Sequence, residues 1–105
     1  MIRPVAERPM SFDELQPGQA FTAGPRSINR ADIDAFTALS GDATALHSDE
    51  NYARTTPFGG IVAHGALVLS VATGLAYQIG IFDGTVLAVR SMDVSFDRPV
   101  FPETR

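Results

Sequence analysis

The chain contains no cysteine, which removes disulfides, thiolate nucleophiles and cysteine-ligated zinc or iron–sulfur sites, and makes a reducing cytoplasm the simplest setting. Lysine is absent too. All eight basic residues are arginine, so Schiff-base chemistry is excluded and an anionic ligand group would be held by a few local guanidinium forks. Positive charge is in deficit overall. With a net charge of −4 and a pI near 4.9, no global field gathers phosphates, and nucleic-acid binding is not expected. The apolar stretch Ile61 to Ala76 is shorter than the roughly 20 residues a bilayer needs and carries His64, Ser70 and Thr73, so it reads as a buried core helix, with no membrane association. The N-terminus has neither the uninterrupted apolar core nor the small-residue cleavage site of a secretory signal.

What is present is an ordinary globular composition, 45% apolar and 19% charged, in 105 residues that form one domain over 1–105. A domain of that size buries only roughly 60 to 65% of its unfolded surface, so its stability leaves little margin. Residues 1–17 hold three prolines and read as an extended lead-in, with Phe12 and Leu15 as anchors. Gln19 to Ser27 reads as a weak strand around Phe21. Asn29, with Asp32 three residues on, predicts a helix N-cap; Ile33, Ala35, Phe36 and Leu39 form its apolar face and Ser40-Gly41 its end. Ser48 caps a second short helix over Asp49 to Arg54, and 55–60 is loop.

Ala63 to Gln78 is apolar almost all round, the pattern of a helix surrounded by protein, and Gly80 ends it. Thr85 to Phe96 is the strongest strand, with Met92, Val94 and Phe96 alternating against Ser91, Asp93 and Ser95. Pro99 to Phe101 is a possible third. A helix apolar on every side needs a sheet curled around it, and these strands are too few. The chain is therefore expected to be incomplete, or to lean on a partner.

Function concentrates in Gly41-Asp42-Ala-Thr-Ala-Leu-His47, where a carboxylate and an imidazole stand five residues apart directly after a helix-ending glycine. Extended, that stretch spans at most about 17 Å, so the loop has to fold back to bring the two groups together. An uncharged segment, Thr56 to Gly65, then leads into the apolar helix, and Gly65 lies in its first turn, where N–H groups lack intrahelical partners and the dipole is positive. An acid–base pair and a glycine at a helix mouth make a candidate active site. The plainer alternative is that Asp42 pins a loop, His47 is a satisfied polar residue at a helix start, and Gly65 allows close packing. A metal held by His47, His64 and Asp42 or Asp49 is conceivable, but the spacing matches no HExxH-type pattern; no metal is expected and His64 receives no catalytic role. Ser70 and Thr73 share a helix face, and the alternative for Thr73 is a hydroxyl bonded back to its own helix. Phe36, Phe58 and Tyr77 are candidates for an acyl pocket or for plain core, and Arg90 and Arg98 for carrier phosphates, with an Asp97–Arg98 surface pair as the alternative.

With Gly41-Asp42-Ala-Thr-Ala-Leu-His47-Ser-Asp49, Phe58-Gly-Gly-Ile-Val-Ala-His64-Gly65 and Ser91-Met-Asp-Val-Ser-Phe-Asp-Arg-Pro-Val-Phe-Pro102 in that order, the sequence resembles the MaoC-like dehydratases, the (R)-specific enoyl-CoA hydratases. The resemblance runs from about Gln19 to the last residue. It implies an α+β hot-dog fold, a long central helix wrapped by an antiparallel β-sheet, and a homodimer or higher oligomer formed through continuous sheet pairing. It also implies hydration of trans-2-enoyl thioesters of CoA or acyl carrier protein, without a metal or redox cofactor. Asp42 and His47 would hold one water, the Gly65 N–H would meet the thioester oxygen, and Thr73, with Ser70 and Phe58, would lie against substrate. Family members usually carry Asn-Pro where this chain has Thr44-Ala45, so the loop loses a rigid proline and an amide group. The family also continues through further strands after the turn at Pro102, so the last strands are expected to be missing. The other readings are a non-catalytic acyl-thioester-binding or dimerisation half of a hot-dog assembly, and a hot-dog thioesterase.

Overall fold

The computed structural model describes residues 9, 12–80, 82–84 and 88–103. Among the described residues a 3-10 turn at Phe12–Glu14 precedes four α-helices: α1 (Arg30–Ser40), α2 (Ala45–Ser48), α3 (Glu50–Arg54) and α4 (Gly65–Gln78). The chain forms two compact units, one of Arg26–Leu69 with Ser95–Arg105, the other of Met1–Pro25 with Ser70–Val94.

In the first unit, α1 begins where the sequence predicts. Asn29 accepts from the Asp32 N–H at 2.9 Å while the Asp32 carboxylate accepts from the Asn29 N–H at 3.0 Å, a reciprocal capping box that satisfies two otherwise orphaned donors. Gly41 ends the helix in the left-handed region, φ 78°, with its N–H on the Thr37 carbonyl at 2.9 Å. Ile33 is fully buried on this helix, but Leu39, expected on the same face, is 84% exposed. Six residues on, it lies about a third of a turn out of line with Ile33. The second short helix starts one residue later than expected. Asp49, not Ser48, caps it, accepting from the Tyr52 N–H at 3.1 Å, while the Ser48 hydroxyl closes α2 by donating to the Ala43 and Thr44 carbonyls. Ala53, Ile61, Val62, Ala63, His64 and Leu67 are buried here, and Ala63 donates its N–H to the Val100 carbonyl at 2.8 Å.

In the second unit Ile79 is buried, with Leu15, Phe21, Ala23 and Phe82 packed against it, so Leu15 serves as the anchor expected of it. The side chain expected of Phe12 in that role lies outside the described residues.

Three expectations need correction. No strand forms among the described residues, so 19–27, 88–96 and 99–101 run without ladder pairing; 85–87 lie outside the description. A strand exists only with a neighbour in register, and the alternation at Met92, Val94 and Phe96 finds none: they stay 51%, 41% and 57% exposed. α4 begins at Gly65 instead of Ala63, because the His64 carbonyl accepts the first helical bond from the Val68 N–H at 3.1 Å while the Ala63 N–H is committed to Val100. Nor is α4 enclosed. Leu67 is its one buried residue, since no sheet curls around it among the described residues. No helix is long and apolar enough to cross a membrane among those residues.

Candidate active site

The loop between α1 and α2 is stitched by short-range bonds that aim Asp42 and His47 at each other. The Ser40 hydroxyl donates to the Phe36 carbonyl at 2.7 Å and accepts from the Asp42 N–H at 3.1 Å, extending the helix end into the loop. One Asp42 oxygen then accepts both from the Thr44 hydroxyl, at 2.5 Å, and from the Thr44 N–H, at 3.2 Å. These two bonds, hydroxyl first, hold the exposed Asp42 carboxyl below its usual 3.8, with smaller help from His47 and His64 and some opposition from desolvation. Asp42 is therefore a carboxylate at neutral pH.

His47 is fixed from the other side. Its Nδ1 lies 2.7 Å from the Val62 carbonyl, which can only accept, so Nδ1 carries a proton and in the neutral ring Nε2 presents a lone pair. The Val62 N–H bonds the Leu46 carbonyl at 3.4 Å, so one buried residue holds two consecutive positions of α2. The ring of His64 stacks on that of His47 with centroids 4.0 Å apart and planes 26° from parallel. One ligating atom from each of Asp42, His47 and His64 lies within 4.8 Å of the other two.

Donor atoms this close to one another could share a metal ion.

His64 was not assigned a role from sequence, and it is the polar residue buried at the centre of this group, 2% exposed. A signal for it existed. A histidine inside the apolar run Ile61 to Leu69 has to find hydrogen-bond partners, though which ones the sequence does not say.

Gly65 opens α4 beside a cavity of about 370 Å³ lined by Phe58, Val62, Val68, Phe96, Arg98 and Val100, among others. Its first-turn position leaves the N–H without an acceptor inside the helix. A Cβ built on Gly65 would stand 3.1 Å from two carbons of the Phe96 ring, so that ring closes over the glycine. Asp42, His47 and His64 do not line this cavity.

The remaining candidates fall elsewhere. Phe36 packs its ring against His64 at 4.9 Å, 62° from parallel. In the other unit the Thr73 hydroxyl donates to the Ser70 carbonyl at 2.7 Å, bonded back to its own helix. There Thr73, Tyr77 and Arg90 line a second cavity, of about 660 Å³, with Phe82 and Met92.

Comparison with known proteins places this loop in context. The MaoC-like domain family matches residues 13–105. Protein MaoC of Klebsiella aerogenes is 37% identical over 92 residues, covering 87% of this chain and 27% of that protein. The (R)-specific enoyl-CoA hydratase of Aeromonas caviae is also 37% identical over 92 residues, covering 88% of this chain and 66% of the enzyme. The chain thus spans about a quarter of the first relative and just under two thirds of the second. Among solved structures, a monoamine oxidase regulatory protein from Archaeoglobus superposes with a TM-score of 0.79 at 37% identity, over 91% of this chain and 65% of that one. A family match across nearly the whole sequence, with full-loop relatives at this level of identity, establishes that the chain belongs to the MaoC-like domain family.

Proposed function

We propose that the chain carries the acid–base half-site of a hydratase/dehydratase acting on trans-2-enoyl and (R)-3-hydroxyacyl thioesters of CoA or acyl carrier protein. The observation that carries this is the convergence of an ionised Asp42 carboxylate and one ring nitrogen of His47 within 4.8 Å, in a ring whose Nδ1 is bonded to the Val62 carbonyl and whose Nε2 is left for water. One water held about 2.8 Å from each group spans that separation.

In hydration, His47 Nε2 takes one proton as the water oxygen bonds the β-carbon, and Asp42 accepts the water's other O–H and so orients it. The resulting imidazolium stands beside the carboxylate. The α-carbon, carrying the electron pair of the former double bond, then receives that proton, so no proton is gained or lost overall. Dehydration is the reverse. Negative charge gathering on the thioester oxygen needs a donor, and the Gly65 N–H is our candidate, with Phe58 in the cavity beside it against substrate. Ser70 and Thr73 are further candidates for contact with the acyl thioester. No metal or redox cofactor enters this scheme. Two features support an oligomer, a homodimer or larger, in which paired strands complete the sheet around α4: the exposure of that apolar helix and of Met92, Val94 and Phe96.

The test is loss of enoyl absorbance with crotonyl-CoA. Release of free thiol without that loss would favour a thioesterase, and binding without turnover a non-catalytic half.

A further inference from the structure

His64 has two neighbours that decide its protonation. Its Nε2 lies 3.0 Å from the backbone carbonyl of Asp42 and 3.2 Å from the hydroxyl oxygen of Thr37. The Thr37 hydroxyl gives its own proton to the Ile33 carbonyl at 2.9 Å, leaving its oxygen to accept. A carbonyl can only accept. Nε2 therefore carries a proton shared between two acceptors, and in the neutral ring Nδ1 carries a lone pair that is buried and finds no partner among the described residues.

An unsatisfied buried nitrogen is a cost that an apolar residue of the same size would avoid. Histidine is here in spite of it, and the group it holds is the backbone of Asp42. The same ring is the surface on which His47 lies, stacked at 4.0 Å, while Phe36 closes its edge. α1, through Phe36 and Thr37, thus braces His64, and His64 braces both members of the pair.

We propose that His64 is the positioning residue of the acid–base pair: the Nε2–H tautomer ties the Asp42 backbone to α1 while the ring supports His47, so that carboxylate and Nε2 keep one separation. This rests on the reading of Asp42 and His47 as catalytic groups. His64 itself touches neither water nor substrate in this assignment.

Two variants separate the hydrogen bond from the stacking. His64→Gln can place an amide N–H near the Nε2 position but has no ring; His64→Phe keeps a ring against His47 and Phe36 but has no donor. A misplacement of reacting groups by about 1 Å can cost on the order of 100-fold in rate. His64→Phe is therefore expected to lower kcat on crotonyl-CoA about 100-fold with KM nearly unchanged, and His64→Gln to recover most of that loss. Long-range proton–nitrogen spectra of the wild-type chain should show His64 protonated at Nε2 and His47 at Nδ1. Wild-type kcat in His64→Phe, equal losses in both variants, or a His64 protonated at Nδ1 would each overturn the proposal. Where His64→Phe does not fold, His64→Gln and the spectra decide. A wild-type chain without hydration activity would defeat the hydratase reading, and the tautomers would then stand or fall alone.

Discussion

Thr44 donates twice to the same oxygen of Asp42, through its hydroxyl at 2.5 Å and its N–H at 3.2 Å. Thr44, two residues on from Asp42, thus fixes the carboxylate from within the loop itself. Thr44 supplies no side-chain bond to the start of α2.

Replacing Thr44 by Val removes the largest influence lowering the Asp42 pKa and leaves the backbone bond. The carboxyl should then titrate closer to its usual 3.8, followed by carbon NMR of the Asp side chains. A folded pKa below the unfolded value contributes stability that is present above the unfolded value and lost as pH falls through the folded one. In Thr44→Val the stability lost on acidification through Asp42 should therefore be smaller and be complete at higher pH. Thr44→Ser should keep the wild-type profile.

Asp42→Asn keeps the shape of the side chain but cannot orient water as a carboxylate, and His47→Gln removes the Nε2 base. Each should cut crotonyl-CoA hydration by about 100- to 10,000-fold with an unaltered circular dichroism spectrum. Wild-type rates in either variant would remove that residue from the mechanism.

Ala45 is the first residue of α2, where a backbone N–H has no acceptor within its own helix. Proline is tolerated at such a position and restricts the unfolded chain. Ala45→Pro should raise stability by about 0.4 to 1 kcal/mol, read from urea denaturation, with turnover retained. A loss of stability would show that the loop backbone at this position does not accept proline.

Gly65→Ala sets a methyl 3.1 Å from the Phe96 ring, which is 57% exposed and able to turn aside. The stability change should stay within about 1 kcal/mol, helped by the better helix propensity of alanine. Turnover should fall sharply, because the methyl stands where a thioester would approach the amide. In a Phe96→Ala background the packing conflict disappears, and a persistent rate defect there would assign the loss to the blocked amide and not to a displaced ring.

Local rules carried much of the architecture. Asn29 with Asp32, and Gly41 after Ser40, set the ends of α1 because capping needs only residues within one turn of each other. The motifs around Asp42, His47 and Gly65 pointed to the family for a similar reason, since their spacing along the chain is itself the signal.

What the sequence by itself determined, then, was α1 with both its caps, α3 and α4 to within a residue or two at their starts, and the identity of the candidate acid and base. Only the tertiary structure decided that His64 joins them, that Val62 orients His47, and that Phe96 covers Gly65. The reason is range: His64 and Thr37 are 27 residues apart and His47 and Val62 are 15 apart, separations over which no periodicity or capping rule acts. Strand pairing belongs to the same class. The alternation of Met92, Val94 and Phe96 announces a face to be covered, but a covering surface exists only where another segment arrives in register.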